Sequence, residues 1–145
     1  MSATNAPSIV DDFEAGRIDP ASFPHRDHVR VSYELLERHA FPEALLHLAR
    51  GLRRLAAKAG RPKVYHETIT AAFLALIAER RLSGCYVDWE DFAARNPDLF
   101  RKELLTDFYE PELLQSSVAR QTFVLPRPQT DGRRSGLRSA GRKVR

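Results

Sequence analysis

The sequence predicts an all-α protein: a compact single-domain bundle of three longer helices followed by shorter C-terminal ones. Three observations carry this. Leucines recur at helical spacing through residues 45–55, which is the mark of an amphipathic helix. An eight-residue apolar run, Ala71 to Ala78, is flanked by further apolar positions at the same period. Only Cys85–Val87 and Thr122–Leu125 have strand-like composition, and both are too short to build a sheet. At 145 residues the chain has the length of one domain. A body of this size buries roughly two-thirds of its unfolded surface without help from metals or disulfides.

In chain order, residues 1–21 read as a lead-in, in which Ile9, Val10 and Phe13 start a small first turn that Gly16 and Pro20 break. Ser22 or Asp27 is placed to cap the first clear helix, with Pro24 in its first turn and Val31, Leu35 and Leu36 on its apolar side, running to about His39. Pro42 opens a second helix. Leu45, Leu48, Leu52 and Leu55 form its buried stripe, Arg50, Arg53, Arg54 and Lys58 its solvent face, and Gly60 its stop. A third and central helix is expected from about Lys63 to Leu82, with Ile69, Ala72, Phe73, Leu76 and Ile77 inward. Asp88 caps a short fourth, Trp89 to Arg95. Pro97 opens a fifth, Leu99 to about Phe108, and Pro111 a sixth through Leu114. Ser117–Arg120 reads as one more turn. The helical domain is thus expected over 22–126, followed by a basic disordered tail over 127–145.

Charge separates the tail from the body. Seven of the 23 basic residues and one of the 19 acids lie from Arg127 to Arg145, which leaves the body at −2 and the tail at +6. The tail has too few apolar residues to order itself. The body is not an evident nucleic-acid binder, so nucleic acid enters as a partner only through the tail. Cys85 is the single cysteine, which excludes an intrachain disulfide and any zinc finger or iron–sulfur cluster held by this chain alone. The opening residues lack a basic, apolar leader, and no apolar run approaches membrane length, so a cytoplasmic protein with no membrane partner is expected. Nothing in the sequence fixes an oligomeric state.

Two polar constellations interrupt the apolar faces. His25 and His28, three residues apart at the start of the first helix, share a face. His66, Thr70, Phe73 and Ile77 align along the central helix, with Glu67 one step round and Tyr65 just before. If the two motifs meet, His25, His28 and His66 supply imidazoles and Glu67 a carboxylate. That set suits a divalent transition metal, with Glu67 as ligand or general base. Arg30, Tyr65 and Thr70 would then contact a small-molecule substrate. This reading is a small metal-binding protein with hydrolytic or oxygen chemistry. The bland reading of the same residues is capping for His25 and His28 and a buried hydrogen-bonded network for His66 and Glu67. It gives a non-catalytic helical binding or regulatory module. For Arg30 the bland reading is a surface ion pair with Glu34, which the spacing favours. His39 reads as a helix-end imidazole and His47 as a half-exposed spacer.

Phe23-x-His25-x-x-His28-Val29-Arg30, Tyr65-His66-Glu67-Thr68-Ile69-Thr70 and the closing Phe108-Tyr109-x-Pro111-x-x-Leu114 … Ala119-Arg120-x-x-Phe123-Val124 span most of the body. On these motifs the chain resembles an uncharacterised family of small bacterial helical proteins. It departs in having Ser32-Tyr33 where that pattern has a small residue and a tryptophan. The resemblance implies a shared fold and pocket and no particular reaction.

Overall fold

The computed structural model describes residues 7–128, and the tail from 129 onward lies outside them. The regular structure of the described residues is entirely helical, with no strand among them. Seven α-helices are α1 (Ile9–Glu14), α2 (His25–Arg38), α3 (Phe41–Lys58), α4 (Glu67–Leu82), α5 (Trp89–Arg95), α6 (Pro111–Leu114) and α7 (Ser117–Gln121). Short 3-10 turns connect them at Pro20–Ser22, Pro62–Val64, Pro97–Phe100 and Lys102–Asp107.

Within the stretch read as a lead-in, Val10 and Phe13 belong to the core. Ser8 and Asp11 form a reciprocal capping box at the start of α1. Val10 and Phe13 are wholly buried. The tip of the Phe13 ring reaches α3 at Gly51, where an added Cβ would come within 2.1 Å of it. The basic face of α3 is not merely solvated. Arg54 donates to the carbonyls of Phe13 and Glu14, and Lys58 to those of Gly16 and Ile18. The last carbonyls of α1 thus find donors that a six-residue helix cannot supply itself.

Helices α2, α3 and α4 pack against one another around Leu35, Leu48, Leu74 and Ile77. The first of them starts at Pro24, which occupies the cap position without a side-chain bond. The central helix begins four residues later than its periodicity suggests. Pro62–Val64 makes a separate turn, and His66 adopts an extended conformation as the N-cap, its Nδ1 accepting from the Ile69 N–H at 3.1 Å. An imidazole here does the work usually given to Ser, Asp or Asn. Its buried face also differs from the expected stripe, because Thr68, Thr70, Ala71, Leu74 and Ile77 are inside while Ile69 is 38% exposed. The helix is apolar nearly all round, so periodicity alone could not choose its inward side.

Asp88 caps α5 through the Asp91 N–H. Beyond it, the expected fifth helix is two 3-10 turns. Asn96 holds this corner: it is buried, donates to the Phe92 carbonyl and the Tyr86 hydroxyl, and accepts from Arg80, which also pairs with Asp98. The C-terminal segment then returns across α4. Thr68, fully buried, donates to the Thr122 carbonyl and accepts from the Val124 N–H. The Tyr109 hydroxyl donates to the Val124 carbonyl. These bonds use the backbone of Thr122–Val124, so no sheet is needed.

Candidate functional site

A cavity of about 480 Å³ opens where α2, α3 and α4 converge. From α2 come His25, His28 and Ser32; from α3, Leu48, Leu52, Leu55 and Ala56; from α4 and the residues before it, Tyr65, His66, Thr70 and Phe73. Lys102 enters from the turn after α5. Both histidine motifs therefore line one space. His25 bridges them, its ring meeting the Phe73 ring edge-on with centroids 5.1 Å apart.

The three imidazoles are not equivalent. His66 has both nitrogens engaged: Nδ1 accepts from the Ile69 N–H, so Nε2 carries the proton and donates to the Leu114 carbonyl at 2.7 Å. Arranged this way it has no lone pair for a metal. His25 donates through Nε2 to the Leu99 carbonyl at 3.0 Å, which leaves Nδ1 as its acceptor. His28 stacks on Phe23 with centroids 4.4 Å apart and lies 6.3 Å from the His25 ring. Burial pushes its pKa down from 6.5 to about 4; the neighbouring His25 and Lys102 act in the same direction, and hydrogen bonding to the Phe23 backbone opposes them. His28 is thus a neutral imidazole at physiological pH.

The remaining predicted residues divide. Thr70 lines the cavity, but its hydroxyl donates to the His66 carbonyl. The Tyr65 hydroxyl is buried without a hydrogen-bond partner among the described residues. Burial raises its pKa to about 12; Thr70 and Glu67 influence it but do not reach hydrogen-bond geometry. Glu67 is not part of the cavity wall and pairs with Arg53 of α3 at 3.1 Å, whose guanidinium lies over the Tyr65 ring. Arg30 is also outside it. It pairs with Glu34 at 2.8 Å and stacks on Trp89, as the i, i+4 spacing favoured.

A second group was not anticipated. Glu14 at the end of α1, His39 just after α2 and His47 in α3 place their ligand atoms within 4.8 Å of one another, close enough to hold a metal ion. Among the described residues it is the one His/Cys/Asp/Glu group with that property. The signal was hidden because the three residues come from separate elements and each, taken singly, had an ordinary helix-end or surface explanation. Compared with protein-family models, curated proteins and solved structures, the chain matches none. Among the described residues no helix is long and apolar enough to cross a membrane.

Proposed function

We propose that the chain is a small-molecule binding module whose cavity takes an apolar ligand bearing an acidic group. One observation carries this: the cavity is walled by leucines, Phe73 and Ile77, and its ionisable lining consists of Lys102, three histidines and Tyr65, with no carboxylate. Volume and composition match those of ligand sites, in which apolar walls supply affinity and a few polar groups fix orientation. A carboxylate head would meet Lys102, while neutral His28 offers its dipole without the cost of a buried charge.

The test is a thermal-shift and calorimetric comparison of decanoate with decanol. Decanoate should bind more tightly, and Lys102→Ala should remove roughly a factor of ten, about 1.4 kcal/mol. Leu52→Trp, which fills the space, should abolish binding in a folded protein. Equal binding of both ligands, or binding that survives Leu52→Trp, would refute the reading. A catalytic reading of the same cavity is favoured by the juxtaposition of neutral His28 and the Nδ1 of His25. A metal held there would draw on those two rings and not on His66. Turnover of p-nitrophenyl decanoate, with and without added Zn²⁺ and lost in His28→Gln, is the outcome that would replace binding by catalysis.

A further inference from the structure

We propose that Glu14, His39 and His47 form a binding site for a divalent transition-metal ion of the Zn²⁺ class, joining α1, α2 and α3. The site is separate from the cavity, and the proposal stands whether or not the cavity binds a ligand.

Geometry supplies the first argument. Two imidazole nitrogens from different elements face the same carboxylate oxygen: His47 Nδ1 lies 2.9 Å and His39 Nε2 3.9 Å from Glu14 Oε2. The two rings stack with centroids 4.2 Å apart and an interplanar angle of 13°. Donors around a tetrahedral zinc ion sit about 3.3–3.6 Å from one another, given bonds of about 2.0–2.2 Å. Side-chain adjustments on the order of 1 Å bring all three atoms to that spacing.

Chemistry supplies the second. Two imidazoles and one carboxylate are the donor types that borderline-soft ions such as Zn²⁺, Ni²⁺ and Cu²⁺ prefer, whereas Mg²⁺ and Ca²⁺ favour all-oxygen sets. The three side chains are between 27% and 39% exposed, so the ion enters from solvent and water completes its coordination.

The third argument is the support around the ligands. Arg38 lies 3.5 Å from the other oxygen of Glu14, Oε1, which leaves Oε2 to the imidazoles and fixes the carboxylate's orientation. The positive charge of Arg38 is itself balanced by Asp11 at 2.9 Å. Glu14 is further held by its place at the end of α1, docked through Phe13 on α3. Because each ligand belongs to a different part of the chain, an ion here would tie the first helix to the α2–α3 hairpin.

The experiment is calorimetric titration of Zn²⁺ into the untagged full chain after chelator treatment, with melting temperature followed in parallel. One equivalent should bind and raise the melting temperature. His47→Ala and Glu14→Gln should each weaken binding at least tenfold, while His25→Ala should leave it unchanged, and Mg²⁺ should not compete. Should His47→Ala unfold, the isosteric His39→Gln replaces it and should show the same loss. No Zn²⁺ binding by the wild type, unchanged binding in the Glu14 and His39 or His47 variants, or binding lost on His25→Ala would each overturn the proposal.

Discussion

Acidification should destabilise this protein through one residue before the carboxylates of Asp11 and Asp98 respond. In the native state the His28 imidazole is buried against Phe23 near His25 and Lys102, and protonates only near pH 4 instead of 6.5. Between those values the unfolded chain binds a proton that the folded chain refuses. Stability therefore rises with pH across this window and is lost as pH falls from 6.5 towards 4. At roughly 1.4 kcal/mol per pH unit, the full interval is worth about 3 kcal/mol, a large share of a small domain's total of roughly 5–15 kcal/mol. Asp11 and Asp98, whose pKa values are lowered by hydrogen bonds from Ser8 and Arg80 respectively, lose their contributions only as pH falls below the ordinary carboxylate value of 3.8. The two effects thus occupy different pH ranges. Urea denaturation at a series of pH values measures the slope, and His28→Leu, which keeps an apolar side chain against Phe23, should flatten it. An NMR titration of the His28 ring should show its midpoint near 4. A wild-type stability that is level from pH 6.5 to 4, or a His28→Leu variant with the wild-type slope, would refute the reasoning.

Gly51→Ala should destabilise by about 1–3 kcal/mol through overpacking against Phe13, despite alanine's better helix propensity; a urea midpoint decides the sign. Thr68→Val removes two buried bonds to the C-terminal segment and should cost about 2–3 kcal/mol, with limited proteolysis cutting earlier beyond Leu114 than in the wild type. Asn96→Leu removes the donor to the Phe92 carbonyl and one acceptor of Arg80, which keeps Asp98, and should cost about 1–3 kcal/mol, read as a lowered melting temperature. Arg53→Ala breaks a pair with Glu67 in which Arg53 is 59% exposed, so its effect should stay within about 1 kcal/mol.

The helices were legible where the sequence carries punctuation. Pro42 and Gly60 bracket α3, with Gly60 at φ +74°. Asp88 marks α5, and Pro111 marks α6. What misled was chemistry outside the usual punctuation. A histidine N-cap is not a standard start signal, so the periodicity starts α4 too early and leaves His66 open between a metal ligand and a buried network; capping uses one of its nitrogens and Leu114 the other. The capping box at Ser8 and Asp11 was present in the sequence, but a six-residue helix has little periodicity to announce that Val10 and Phe13 are core. The cavity was half legible. Polar residues on apolar stripes located His25, His28, Thr70 and His66, while Lys102 came from a turn that no pattern linked to them. Glu14, His39 and His47 could not be read as a group, because their proximity depends on how α1 docks.

The bonds from His66 to Leu114 and from Thr68 to Thr122 and Val124 span 48 to 56 residues. They set an order of assembly during synthesis. A ribosome that has delivered the chain as far as Leu82 has released every residue of α4, yet the carbonyl that accepts from the His66 cap has still to be made. The nascent chain can thus form the His66 cap, with Nδ1 accepting from the Ile69 N–H, while the Nε2 proton still lacks its acceptor. Only when residues 114–124 emerge does that ring settle and the wall of the cavity take its final form. At translation rates of roughly 5–20 residues per second this delay lasts seconds, long compared with helix formation in microseconds, so the last part of the described fold to appear is the part that finishes the candidate site.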